Sequence, residues 1–397
     1  MTGPAPASTL EQPAQNPEPV LESTQPIASG RERRDNTVFV LAVIGYSLLS
    51  LIALAVMVYL LSFLGATAFI VAGLLAVIPL AIVLVGITWI DRWEPEPRGA
   101  LVFAFLWGAA ASVAIALIFD LGVQLIAAVV GVGDGFWTLF LGLVVQAPIV
   151  EEAGKGLGLL ILFWTVRRQF DGPVDGIVYG AMIAVGFAFT ENIQYFGLAL
   201  GDAQGPGDVG EIFLMRGLMS PFAHVMFTAC TGIVVGLASR RSSPLGMVGW
   251  LVLGLVPAIL LHAFWNGSAL FVTDFYAYYF AVQVPLFIIG FLIVYFLRTQ
   301  ERALTWRHLQ EYAAAGWFTA QEVGMLSTGQ GRRAALAWAK SHGVGDAFEQ
   351  FSRSATRLAF ARHRIVLGRD RAVAHYDEGV LLEKIVDARR RMQGSTR

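Results

Sequence analysis

The stretch FWTLFLGLVVQAPIVEEAGKGLGLLILFWTV, Phe136 to Val166, is long enough to cross a bilayer, yet it carries Glu151, Glu152 and Lys155 near its middle. A helix rises about 1.5 Å per residue, so roughly 20 apolar residues cover a hydrocarbon core of about 30 Å. Each ionised group at that depth costs roughly 2.5–3.5 kcal/mol on the insertion scale, so three of them in one run need partners or a task.

The surrounding chain is equally apolar. Of 397 residues, 56% are hydrophobic and 14% charged, and the mean hydropathy is +0.63, outside the range of ordinary soluble domains. Apolar runs recur at Val38–Leu60, Ala66–Ile90, Leu101–Phe119, Phe136–Val166, Gly176–Leu200, Ile212–Ser239, Met247–Leu270 and Tyr276–Leu297. After Asp120 the third run resumes as LGVQLIAAVVGV, which reads as a tilted extension, an interfacial segment or a ninth span. The expected class is all-α, a polytopic transmembrane helix bundle of about eight spans followed by a small helical cytoplasmic domain.

Arginine sets the orientation, because Lys and Arg concentrate in cytoplasmic loops. Arg31, Arg33 and Arg34 precede the first span, Arg92 and Arg98 follow the second, and Arg167 and Arg168 the fourth. Arg240 and Arg241 follow the sixth, and Arg298 and Arg302 the eighth, whereas the loop Gly201–Glu211 carries acid and no base. A multi-pass protein of the plasma membrane with both termini cytoplasmic is expected.

Residues 1–35 are rich in Pro, Gln, Ser and Thr and are expected to be disordered, with no cleaved signal peptide. Residues 36–298 form the membrane domain, and residues 299–397 show helical periodicity with charged faces, Trp306, Trp317 and Trp338 serving as core anchors. The tail is moderately basic; an ordinary solvated surface explains this better than a lipid-binding one. With a net charge of −1, no nucleic-acid partner is expected, and a single cysteine, Cys230, excludes an intrachain disulfide or a cysteine-based metal cluster.

The intramembrane polar groups fall on four consecutive spans. The fourth carries Glu151, Glu152 and Lys155; the fifth Glu191 and Asn192; the sixth Arg216 and His224; the seventh His262 and Asn266. Counted from the assigned ends, Glu151, Glu152, Glu191, His224 and His262 share a level between the midplane and the outer face. Arg216, nearer the outer interface, is expected to snorkel, and Asp120 and Asp175 to be solvated or capping residues at span ends.

Residues four apart share a helix face, so Glu151 lies over Lys155 and His262 over Asn266, while Glu152 points about 100° from Glu151. One glutamate can be held by Lys155 while the other faces a cavity; the spacing does not decide which. Gly154, Gly156 and Gly158 permit close approach of a neighbouring helix. Carboxylates and imidazoles at one level suit peptide hydrolysis, either by activating water directly or by holding a zinc ion that does so, with Asn266 as oxyanion donor or orienter.

EEAGK (Glu151–Lys155) fits E-E-x-x-K, FAFTEN (Phe187–Asn192) fits F-x-x-x-E-N, and His224 and HAFWN (His262–Asn266) supply later histidine motifs. In that order they resemble the PrsW family of intramembrane proteases, relatives of the CAAX-processing and bacteriocin-immunity membrane proteases; DRWEPEPR (Asp91–Arg98) is similar to that family's acidic, proline-containing loop.

The resemblance spans roughly residues 38–298. It implies cleavage of a membrane-anchored protein near the extracytoplasmic face, as in the first cut of an anti-sigma factor during signalling. It also implies an active-site set of Glu151, Glu152, Glu191, His224 and His262, supported by Lys155, Asn192 and Asn266. If a metal such as zinc is used, His224, His262 and Glu191 are the expected ligands; a metal-free glutamate mechanism is the alternative.

Intramembrane acids and histidines also mark proton-coupled transporters, but these place sites between repeated halves, and no repeat is visible here. An inactive protease-like scaffold is a further alternative, against which the intact Glu and His motifs count.

Overall fold

The computed structural model describes residues 28–133, 135–167, 169–202, 206–239, 242–368 and 371–394. Residues 1–27 of the N-terminal segment, Arg168, Arg240, Arg241 and part of the loop 201–211 lie outside the described residues. Helices account for the architecture, and no strand occurs among the described residues.

Among the described residues, eight helices are long and apolar enough to cross a membrane. They are α1 (Ala28–Leu64, with Ala42–Leu64 its apolar part), α2 (Ala66–Asp91), α3 (Arg98–Val130) and α4 (Phe136–Thr165). There follow α5 (Pro173–Asp202), α6 (Val209–Ser239), α7 (Gly246–Phe271) and α8 (Phe275–Ala314). α3 passes without a break through Asp120 and stops at Gly131, whose φ of 73° suits glycine at a helix end. The residues after Asp120 are thus an extension of the third span, and the count stays at eight.

α5 is the central helix, with 89% of its apolar window buried inside the protein. It packs so closely on α6 that a Cβ on Gly176 would stand 2.0 Å from the Gly232 carbonyl oxygen, and one on Gly232 2.2 Å from that of Gly176. Outer helices turn large apolar side chains outward, such as Leu74, Val85, Ile118 and Val129, as a lipid-facing surface requires.

Among the described residues, four π-helical segments interrupt these helices: Trp107–Ser112 in α3, Leu141–Gln146 in α4, Phe213–Met219 in α6 and Tyr279–Gln283 in α8. Such segments free carbonyls from the helix ladder and often mark functional sites. In α6 the π segment is followed by an irregular step at Ser220–Phe222, containing Pro221, before the helix resumes at Ala223.

α8 runs through residue 298 without a break and leads into α9 (Ala320–Leu326), α10 (Gly329–Ser341), α11 (Gly345–Val366) and α12 (Arg371–Gly394). These helices share a core of their own that includes Leu309, Phe318, Leu326, Phe351, Leu358 and Ile385. Trp317 packs against that core, but Trp306 and Trp338 are about half exposed, so only one of the three expected tryptophan anchors serves as one. The C-terminal helices sit under one end of the bundle. Arg332 donates to the Trp93 carbonyl (3.2 Å) with its guanidinium over the Trp93 ring, Trp93 Nε1 donates to Thr305 (3.1 Å), and Arg364 bridges Asp171 (2.9 Å) and Asp377 (3.1 Å). Trp93 and Asp171 lie in the loops after α2 and α4, which places both loops on the same face as this domain.

Candidate active site

Counted from the face that holds the C-terminal domain, Glu151, His224, His262 and Glu191 lie about 21, 22, 24 and 27 Å up their helices at 1.5 Å per residue. They meet at that common level, on four helices. Gly158 admits the Trp107 ring, to which a Cβ there would approach within 2.2 Å, and Trp107 Nε1 then donates to the Gly154 carbonyl (2.9 Å). This contact locks α3 against α4 one turn from the glutamate pair.

Lys155 and Glu152 form the buried centre, and both side chains are 0% exposed. Glu152 Oε1 accepts from Lys155 Nζ (2.8 Å) and from His262 Nδ1 (3.1 Å), and Oε2 accepts from the Thr228 hydroxyl (2.9 Å). A buried charge with both oxygens filled in this way is compensated and fixed. Lys155 also reaches Glu151 Oε2 (3.4 Å) and His224 Nδ1 (3.1 Å), with the Phe187 ring 4.0 Å away.

Lys155 thus contacts both glutamates, and of the two only Glu151 lines a cleft. Glu151 is the exposed member, at 13%. It borders a cleft of about 750 Å³ enclosed by α3, α4 and α5, together with Glu191, Phe187 and Tyr195. The cleft runs toward Gly135 and Leu198, at the end of the bundle opposite the C-terminal domain.

Histidine tautomers follow from the partners. An ammonium only donates, so His224 Nδ1 is an acceptor and Nε2 carries the proton, which it gives to Glu191 Oε2 at 2.8 Å. His262 Nδ1 faces a carboxylate and carries the proton, and its Nε2 lies 3.9 Å from Glu151 Oε2. His262 is buried, at 2% exposure, directly behind the cleft carboxylate.

Arg216 does not snorkel. Its Nη2 donates to Glu191 Oε2 (2.7 Å), its Nε to Asn192 Oδ1 (3.3 Å), and its guanidinium lies 3.7 Å from the Tyr195 ring centroid. The π segment Phe213–Met219 carries it inward. The sequence held the signal: an arginine inside a span needs an anion, and Glu191 had no other cation on its own helix. Asn266 does not line the cleft but braces its wall, its Nδ2 donating to the carbonyl of the cleft-lining Leu143 (3.0 Å) in the π segment of α4. Asp120 lies exposed on the cleft wall, and α3 continues ten residues beyond it.

Among the described residues, one group of side chains is spaced to hold a metal ion: Glu151, His224 and His262 offer ligand atoms within 4.8 Å of one another. Two histidines and a glutamate are a zinc-type donor set, and Glu152 behind His262 Nδ1 is the carboxylate partner that metal-bound histidines usually have. The set fits zinc in kind, although Lys155 occupies His224 Nδ1 in this arrangement. Glu191, expected among the ligands, is instead ion-paired to Arg216.

Residues 96–290 match the family described as PrsW family intramembrane metalloprotease. The Protease PrsW of Clostridioides difficile (strain 630) is 32% identical over 197 residues, covering 48% of this chain and 75% of that protein. The chain belongs to the PrsW family of intramembrane proteases. The Protease PrsW of Bacillus subtilis (strain 168) is 31% identical over 174 residues, 43% of this chain and 70% of its own length, and that of Geobacillus kaustophilus (strain HTA426) is 31% identical over 150 residues. No solved structure matches the chain at a significant level. The PrsW match takes in α3 to α7 and every polar residue of the cluster, and leaves the C-terminal helices outside.

Proposed function

We propose that this PrsW-family chain is an intramembrane peptidase of the plasma membrane, with both termini cytoplasmic, that cuts membrane-anchored proteins near the extracytoplasmic face. The observation that carries the reading is the division of labour in the glutamate pair: Glu152 is enclosed by Lys155, His262 and Thr228, while Glu151 alone opens on the cleft.

A substrate segment enters the cleft in extended form, because a helix hides its peptide carbonyls. Glu151 takes the proton of a water that attacks the scissile carbonyl carbon; the C–N bond breaks, and Glu151 returns the proton to the leaving nitrogen. His262 Nε2 orients the water through its lone pair, and Glu152 holds the imidazole in that tautomer. Lys155, enclosed beside Glu151, supplies the positive field in which the oxyanion develops. Arg216 and Glu191 orient His224 from the other side. Where zinc is bound, Glu151, His224 and His262 are the residues that hold it, and it would acidify the water and polarise the carbonyl; a metal-free glutamate mechanism uses the same residues.

An anti-sigma factor with one span is a substrate of suitable form, which would place the chain in a signalling cascade. Kinship with CAAX-processing proteases is consistent with the paired glutamates. The test is terminal-peptide mass spectrometry on membranes from cells expressing the intact chain or its Glu151→Gln variant. New ends near the outer face of single-span proteins, present only with the intact chain, are expected; identical profiles with both proteins stably inserted would refute the reading.

A further inference from the structure

The cleft wall carries three carboxylates, Asp120, Glu151 and Glu191, and no lysine or arginine. Two of the three are balanced from behind, Glu151 by Lys155 and Glu191 by Arg216. Asp120 is not: its oxygens accept only from glutamine amides, Oδ2 from Gln124 Nε2 (2.7 Å) and Oδ1 from Gln146 Nε2 (3.3 Å), and no ion pair to it is found among the described residues. A carboxylate accepts about four hydrogen bonds, so two amides fix its plane and leave capacity on the open side. Asp120 is exposed on the cleft wall, about 33 Å up α3 from Arg98 at 1.5 Å per residue, so its open side faces whatever enters the cleft at the outer end of the bundle.

We propose that Asp120 is a specificity-determining residue that receives a lysine or arginine side chain of the substrate. Its register follows from α4. Gln146, hydrogen-bonded to Asp120, precedes Glu151 by five residues, about 7.5 Å along the helix. An extended chain covers that distance in about two residues. The favoured substrate therefore carries its basic residue about two positions from the scissile bond, on the side of the cleft mouth. Extracytoplasmic flanks of membrane proteins carry few Lys and Arg, so a carboxylate at this point selects a minority of single-span proteins, where an apolar wall would accept most.

The inference rests on the peptidase reading, but it can be tested by binding alone. The Glu151→Gln chain in nanodiscs is titrated with two fluorescent membrane-anchored peptides that differ only by Lys or Gln at the second residue on the mouth side. The Lys peptide is expected to bind about two- to fivefold more tightly. Adding Asp120→Asn, which keeps the shape and the glutamine contacts, removes the preference, and Asp120→Lys reverses it toward a Glu peptide. Equal binding of the two peptides, no binding of either, or a preference that survives Asp120→Asn overturns the inference. Cleavage of the same peptides by the chain with Glu151 intact is scored separately. Selective binding without cleavage refutes the peptidase reading and leaves Asp120 as a recognition residue; cleavage without selectivity refutes the inference alone.

Discussion

At the scale of residues, adjacency in sequence conceals opposite roles. Glu151 and Glu152 differ by one helical step, and that step takes one carboxylate to the cleft and the other to a site with 0% exposure. The motif spacing announced that the two faced different ways, but which faced the cavity depended on Thr228 and His262, from helices whose rotation no local pattern records. Glu152→Gln should mainly destabilise: removing one member of a buried ion pair typically costs 3–5 kcal/mol. A lowered melting temperature in detergent is the expected result, whereas unchanged melting would mean that the enclosed pair is not a structural anchor. Arg216→Ala leaves Glu191 without its cation and His224 without a fixed partner. A loss of about 10–100-fold in peptidase rate, partly restored by Arg216→Lys, is expected from outer contacts of this kind, and an unaltered rate would detach Arg216 from the site.

At the scale of elements, the eight spans were legible because apolar run length is a direct physical requirement of the bilayer. The π segments were not. LGLVVQ and FLMRGL read as ordinary helix, and only the packed structure shows that one frees the Leu143 carbonyl for Asn266 and the other turns Arg216 inward. This is why Arg216 was assigned to the interface, and why Asn266 was expected at the oxyanion. The glycines of α4 were legible as close contacts but not as to their partner, which for Gly158 is a side chain, Trp107. Gly158→Leu has no room and should cost stability by about 1–3 kcal/mol or more, with Glu151 displaced as α3 and α4 separate. Melting and peptidase rate should fall together; a variant that folds normally with full activity would remove this contact from the account.

At the scale of the whole molecule, the C-terminal helices are tied to the bundle by arginines on loop carboxylates and tryptophans. Arg364 spans Asp171 and Asp377, and Arg332 stacks on Trp93. The sequence showed a helical tail, but not that it grips the loop Asp91–Arg98, since such pairings are distant in the chain. Glu96 lies buried in that loop, accepting from the Tyr179 hydroxyl at 2.6 Å. Burial first, then the neighbouring Asp175 and Glu94 charges, push its carboxyl well above the usual range, against the Tyr179 hydrogen bond. The folded form therefore holds a proton that the unfolded form has released, and stability falls as pH rises from the ordinary glutamate range through the raised value. Melting temperature should be higher at mildly acidic than at alkaline pH, and Glu96→Gln should flatten that slope; an unchanged slope would assign it to other groups.

The central claim is that Glu151 activates the water and Glu152 holds the site together. It is tested most directly by reconstituting the intact chain, Glu151→Gln and Glu152→Gln in liposomes with one single-span substrate identified by terminal-peptide profiling, and measuring cleavage rate and melting on the same samples. The account predicts that Glu151→Gln loses cleavage by about 10²–10⁴-fold, the usual weight of a general base, with melting unchanged. Glu152→Gln should lose stability first. Full cleavage by Glu151→Gln would contradict the account.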